Sequence, residues 1–468
     1  MVTGRRALRA GLVVAILAVG LVLRLGSAHR EPYKPINDAG SYLTLASYIA
    51  RTGDYSLLRT PGSGAGGTKG PSAYFAPGFP YYLALVDRID GHEVRRGPAI
   101  QPARDSQVVL GMFTVALVGL VAFELFGETA GLIALLLAAV YPVFTEMAGV
   151  IAAENLLTPL ILAAVYTALR ARRAGAPARR YGWVAGTGVL TGLATLTHEN
   201  GVLILAGLIP AVWTGRRVGG KSINLRSLAA PALLVVLTAL TILPWTIRNA
   251  VVMHSFIPVS DETGITLVGT YNVASAADTQ LPYKWRIFYG IPGEGPLIKQ
   301  SPHLTEPQLG AKLQSQALHY IEHHPISLLQ VLYHNGRRLL ELEGTFAWIA
   351  SASAVSLTTP VARTGVISFW ILCLLAIAAL ATRRGRSAPG WVWVIPLLLA
   401  LSVVLVNVET PRFREPVDPF LILLAAAGLS TAVDRLIGRL RRAPVRGEAG
   451  HAVATRPAEL VEMRERLA

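Results

Sequence analysis

The chain has 468 residues, of which 52% are hydrophobic and 15% charged, with a mean hydropathy of +0.47. A soluble chain carries about a quarter of its residues charged, so a soluble globular protein is excluded, and the recurring apolar runs of roughly 17–25 residues point to a polytopic membrane protein. The net charge of +15 does not signal nucleic acid. The bases cluster in short stretches between apolar runs, at 5–6, 170–180, 216–226, 383–386 and 435–446, whereas a nucleic-acid binder gathers them on one soluble face. Loops rich in Lys and Arg stay cytoplasmic, so these clusters set topology. The single cysteine, Cys373, leaves no intramolecular disulfide to form.

With the N-terminus inside, the first span is predicted over 8–25. Its two leading arginines and apolar run could also be a signal peptide, but retaining it makes the loop charges alternate consistently along the chain. The polar stretch 26–105 is then extracytoplasmic. Within it Tyr42, Leu45, Ala46 and Ile49 recur at helical spacing, which predicts a short amphipathic helix along the membrane surface. Gly53 ends that helix, and "PGSGAGGTKG" reads as a mobile loop. Spans two and three, 107–126 and 130–148, are joined by the tight "FGETAG" turn. Span four, 155–169, enters the basic "RARRAGAPARR" loop, and spans five and six, 183–196 and 202–213, carry "THEN" at their outer tip. Span seven, 228–245, leads into a larger outer segment, 248–359. There "LGAKLQSQALHYIEHHPISLLQVLYHNGRRLLELEG" predicts two helices broken before Pro325. Spans eight and nine flank "RRGR", and span ten follows "PRFREPVDP".

The expectation is an all-α polytopic protein of about ten transmembrane helices with both termini inside. It divides into a core over 1–247, which includes the outer loop 26–105, an extracytoplasmic segment over 248–359, C-terminal spans over 360–442 and a polar cytoplasmic tail over 443–468. No internal repeat is visible, which argues against an inverted-repeat transporter.

Asp38 is the sharpest chemical candidate. It precedes a helix and so can serve as its N-cap, or it can take a proton from an attacking hydroxyl at the membrane surface. Glu154 offers a second carboxylate at another outer turn, where an acid is costly unless it is solvated or used; it also complements the dipole of span four. Arg248, Arg412 and Arg414 lie outside, against the cytoplasmic bias of the other bases. They suit either lipid headgroups or a phosphate held in a bidentate fork. Tyr42, His198 and Glu199 are candidates to line a cavity. His319, Glu322 and His323 have the spacing of a metal face but stand on one helix with no further ligand run, so no metal or other cofactor is indicated. The acids and phosphate-sized cations are thus expected outside, where an activated substrate is lipid-linked.

The motifs in their order resemble those of the integral-membrane glycosyltransferases of the C superfamily, in particular the bacterial protein-mannosyltransferase and aminoarabinose-transferase group (glycosyltransferase family 39-like). "NDAGSYLTLASYIARTGDYSLL", "YFAPGFPYYLALVDRIDG", "YPVFTEMAGVIAAENLL", "LPWTIRNAVVMHSFIPVSDETGITL" and "PRFREPVDPFLILLAAAGL" carry the resemblance. It implies a polyprenyl-phosphate sugar donor, an outward-facing site at the cytoplasmic membrane, and the first-loop acid, here Asp38, as general base with inversion. It further implies Glu154 as the second acid and Arg412 and Arg414 as donor-phosphate contacts, with Arg248 and Lys69 as further candidates. Where many relatives have Arg or Lys before the first-loop Pro, this chain has Ala76, and it has His198 where others carry Arg. The acceptor is a glycan, lipid or protein hydroxyl. The rival readings are a translocase of polyprenyl-linked glycans, which calls for ionisable groups inside the spans, and a non-catalytic membrane scaffold.

Overall fold

The computed structural model describes residues 2–57, 70–91, 99–213 and 225–442. Lys69, most of the Gly-rich loop and the tail 443–468 lie outside the described residues. Helix α1 (Val2–Ala28) leads to α2 (Asp38–Thr52), α3 (Gly78–Asp90), α4 (Ile100–Phe126), α5 (Glu128–Val140) and the short α6 (Pro142–Met147). Next come α7 (Glu154–Arg173), α8 (Pro177–Thr197), a 3₁₀ turn Glu199–Ile204 running into α9 (Leu205–Val212), and α10 (Ala229–Met253). The segment 248–359 holds α11 (Thr263–Thr270), α12 (Val273–Ala276), α13 (Gly295–Gln300), α14 (Glu306–His323), α15 (Ser327–Leu339) and α16 (Thr345–Ser353). The chain returns through α17 (Thr359–Ala379), α18 (Gly390–Val404) and α19 (Asp418–Arg442). Among the described residues the β structure is one antiparallel pairing of Ser56–Leu57 with Gly70–Pro71. Residues 1–430 form one compact unit; 431–468, of which the end of α19 is described, form a second.

The ten expected spans fall on helices, except that the third, 130–148, breaks at the extended Tyr141 before Pro142 into α5 and the short α6. Among the described residues five are long and apolar enough to cross a membrane, and Glu128–Val140, Glu199–Val212 and Gly390–Val404 are shorter apolar helices. The other two, α7 and α8, are long, but arginines at their shared basic loop make them less apolar. Helix α7 is buried along most of its length among α8, α4 and α9, through small side chains such as Ala164 and Ala168 of α7 and Ala122 of α4. Small residues let backbones approach closely where lipid offers no hydrophobic drive. Arg24 of α1 is fully buried, and its guanidinium donates to the carbonyls of Gly20, Ala138 and Ala139, so this intramembrane charge ties α1 to α5.

The helix predicted from Tyr42, Leu45, Ala46 and Ile49 is α2, ended at Gly53, whose φ of 80° favours glycine. Its apolar face is covered by protein rather than resting on lipid. All four residues are buried, and the Tyr42 ring meets Phe75 at 4.5 Å and Phe79 at 5.0 Å. The break before Pro325 is where the sequence places it. Thr305 caps α14 in a reciprocal capping box with Gln308.

The first loop and the segment 248–359 are latched together. Glu306 accepts from Ser72 Oγ and Ala73 N–H, both at 2.7 Å, and Asp261 N–H donates to Ala73 O at 2.9 Å. Burial pushes the Glu306 carboxyl up to about 7, against the two hydrogen bonds it receives, and pushes Asp261 up to about 6. Gly264 of α11 lies so close to α14 that a Cβ there would stand 2.1 Å from Gly310 O. This contact fixes the turn before α11, and with it Glu262.

Candidate active site

Three distant segments converge on one guanidinium. Asp38 is the first residue of α2, Glu154 the first of α7, and Arg412 opens the 3₁₀ turn Arg412–Arg414 between α18 and α19. Arg412 Nη1 donates to Asp38 Oδ2 at 2.7 Å, and its Nε donates to Glu154 Oε1 at 2.8 Å. The Arg412 and Glu154 side chains are 8% and 2% exposed, that of Asp38 34%. Burial alone would lower the Arg412 pKa, but Glu154 and Asp38 outweigh it and hold the guanidinium charged. Asp38 does not cap α2. The N-cap position is Asn37, at a φ of 52°, with no side-chain capping bond, and its amide donates to Ala354 O at 3.0 Å. The backbone before Asp38 is therefore held in a sparsely populated conformation that sends the carboxylate to Arg412.

Asp38 and Arg412 form part of the wall of a cavity of about 540 Å³. Its lining is mixed: Asn37, Ser41, Tyr74, Asn200, Thr263 and Asn407 supply amides and hydroxyls, and Val202, Leu203, Leu267, Val403, Val406 and Phe413 supply apolar surface. His198 and Glu199 both line it, with His198 Nδ1 3.6 Å from Glu199 Oε2. Glu154 does not reach the wall. It stands behind Arg412, with Oε2 buried and unpartnered. Tyr42 turns its ring into the aromatic core, and Tyr74 takes the place on the wall.

Arg414 and Arg248 are not brought to this cavity. Arg414 is buried, donates to Glu341 at 2.8 Å and Asp418 at 3.1 Å, and lies over the Phe369 ring. Arg248 donates to the carbonyls of Ser72 at 2.7 Å and Tyr55 at 2.8 Å and stacks on Trp245. Both guanidiniums bond to the protein's own acceptors, with Arg414 Nη2 buried and left without one. Glu262, at the turn into α11, is a wall residue that the sequence reading passed over. Enclosure, then its neighbours Glu199 and Asp38, hold its carboxyl well above the ordinary range, with Arg412 opposing. The His319, Glu322 and His323 face lies on α14. Among the described residues no group of three or more His, Cys, Asp or Glu is arranged to hold a metal ion.

Residues 75–245 match the family model of dolichyl-phosphate-mannose-protein mannosyltransferases. The fold is similar to that of the oligosaccharyltransferase AglB of Archaeoglobus fulgidus, solved with an inhibitory peptide and a dolichol-phosphate: TM-score 0.55 at 14% identity, over 95% of this chain and 53% of that one. A second structure of the same enzyme, with Zn and sulfate, gives 0.53 at 16%, over 92% and 50%. The chain thus spans about half the length of those proteins. ArnT of Cupriavidus metallidurans, bound to undecaprenyl phosphate, aligns over 94% of this chain and 79% of its own at 15% identity, with a TM-score of 0.41, too low to bear on the fold. No curated protein matches the sequence significantly. The chain is a polytopic helical membrane protein whose fold is similar to that of the oligosaccharyltransferase, and the mannosyltransferase match over 75–245 agrees with the resemblance carried by its motifs.

Proposed function

We propose that the protein transfers one sugar from a polyprenyl-phosphate donor to an acceptor hydroxyl on the outer side of the cytoplasmic membrane. The observation that carries this reading is the pairing of Asp38 with Arg412 on the wall of a cavity lined by both polar and apolar side chains. The polar groups suit sugar hydroxyls, and the apolar ones suit the first isoprene units of a lipid carrier. Asp38 accepts the acceptor's proton as its oxygen bonds to the anomeric carbon. The bond from that carbon to the phosphate oxygen breaks, and the lipid phosphate leaves with the electron pair. Charge developing on it meets Arg412, whose Nη2 has no partner among the described residues. Glu154 acts through Arg412, holding it from behind. The phosphate ester is already a good leaving group, so the reaction as drawn calls on no cofactor.

The outward placement is supported by α7, a helix of 20 residues that starts at Glu154 beside the cavity and ends at Arg173 in the most basic loop. At 1.5 Å per residue the two lie about 30 Å apart, the thickness of a hydrocarbon core. A cytoplasmic Arg loop therefore puts the cavity on the far side. The test is purified protein in nanodiscs offered a panel of polyprenyl-phosphate sugars, read by release of free lipid phosphate. Release with at least one donor, lost in Asp38→Asn, is expected. No release with any donor and acceptor class would overturn the reading.

A further inference from the structure

Helix α15 is amphipathic in the opposite sense to its neighbour. The side chains it turns inward include Ser327, Asn335 and Arg338 beside Val331 and Leu339. Asn335 donates to Val404 O at 3.0 Å, and Arg338 to Asn335 Oδ1 at 2.9 Å. The side chains it turns outward are Leu328, Leu329, Leu332 and Tyr333, with Ile326 just before and Leu340 just after; Leu329 is 61% exposed and Tyr333 59%. At helical periodicity these share one face, with Gln330 and Arg337 at its edge. Gln330 is used by Tyr283, whose hydroxyl donates to it at 2.6 Å, and Arg337 covers the Tyr333 ring. Helix α14, across Pro325, has the ordinary arrangement: Leu309, Leu313 and Ala317 are buried, while Lys312, Gln314 and Gln316 are exposed. Across Pro325 the exposed face therefore changes from mainly polar on α14, where Leu318 is the exposed large apolar side chain, to mainly apolar on α15.

That apolar face is continuous with the surface of a spanning helix. Trp370 of α17 donates its indole N–H to Leu340 O at 3.1 Å, and its ring meets Trp348 of α16 at 5.5 Å. Exposed Phe346 and Ile349 of α16 carry the face towards Ile367 and Ile371 of α17. Aromatic rings with a polar edge, here Tyr333, Trp348 and Trp370, collect at membrane–water interfaces, and Arg stems extend along them. A contiguous apolar surface joined to a spanning helix is where lipid continues.

We propose that α15 is seated in the membrane interface on the cavity side, its Ile326–Leu329–Tyr333 face docked into bilayer lipid. The proposal is independent of the transferase reading. Helix α15 packs through Leu339 on Val404 and Val408, next to Val403 and Val406 of the cavity wall. The seating therefore puts bilayer lipid one helix away from the cavity.

The test uses the full chain with Cys373→Ala in phosphatidylethanolamine–phosphatidylglycerol nanodiscs, carrying a nitroxide at Leu329→Cys or Leu332→Cys, with Gln314→Cys on α14 as the aqueous reference. Collision of the label with oxygen several-fold more often than with a water-soluble nickel chelate at Leu329 and Leu332, and the reverse at Gln314, is expected. Nickel accessibility at Leu329 and Leu332 equal to that at Gln314 would make α15 a solvent-facing helix and overturn the proposal. Spin–spin broadening at Leu329 that vanishes on dilution with unlabelled protein would also overturn it, by showing a second copy on that face.

Discussion

Replacing Arg412 by methionine removes a cation and leaves Glu154 without its ion-pair partner. Glu154 is 2% exposed at its side chain, and one of its oxygens already lacks a hydrogen-bond partner, so the orphaned carboxylate cannot be hydrated where it stands. Breaking a buried pair from one side costs about 3–5 kcal/mol. Asp38, a third exposed, can turn to water and adds little to that cost. Adding Glu154→Gln to Arg412→Met replaces the stranded charge by a stranded amide, for which roughly 1–3 kcal/mol is expected. The double variant should therefore be more stable than the Arg412→Met single variant by about 2 kcal/mol, a positive coupling between residues 258 positions apart in the chain. Equilibrium unfolding in mixed micelles of increasing SDS fraction, followed by circular dichroism, measures both differences. An Arg412→Met cost below about 1 kcal/mol, or a double variant no better than the single, would refute the account of Arg412 as a cation held in place by a buried acid.

Asp38→Asn keeps the size of the side chain and an acceptor for Arg412, so it should fold normally while turnover falls roughly 10²-fold or more; near-normal turnover would strip Asp38 of the base role. The latch on Ser72 and Ala73 should be pH-dependent. Burial sets the folded pKa of Glu306 at about 7, above its unfolded value, so the folded state binds the extra proton. Its stabilising effect is then complete at acid pH and lost as pH rises towards 7. Hydrogen exchange at Ala73 should accelerate from pH 5 to pH 8 beyond its intrinsic rate, and Glu306→Gln should flatten that dependence. Gly264→Ala forces α11 off α14, at about 1–3 kcal/mol of overpacking. It should lower turnover more than Ala at an open glycine such as Gly295 does, because Glu262 moves with α11.

The membrane helices were legible because hydropathy and basic loops are local signals, and Pro325 announces the break between α14 and α15. The acids and the cation of the site were legible one at a time, as charges at outer turns. Their meeting was not, since Asp38 and Arg412 stand 374 residues apart and nothing in either segment encodes the other. Arg248, Arg412 and Arg414 read alike in the sequence because a guanidinium serves phosphate, carboxylate and carbonyl equally well. The fold separates them by which acceptors it brings near. Glu262 carries no local mark at all. It follows another acid, Asp261, and only the packing of α11 on α14 sends one towards the latch and the other into the cavity. The face of α2 was legible as apolar, but periodicity does not say whether protein or lipid will cover it.

Helix α7 also acts as a ruler. Its ends are pinned, Glu154 to Arg412 and Arg173 to Glu124, and its sides are enclosed by neighbouring helices, so it cannot tilt alone to suit its surroundings. A lone spanning helix adapts to a thinner or thicker bilayer by leaning, but here the lipid must do the adapting. Acyl-chain length then becomes a control on the protein: in short-chain lipid the interval between cavity and basic loop stays the same while the bilayer around it is stretched to meet it.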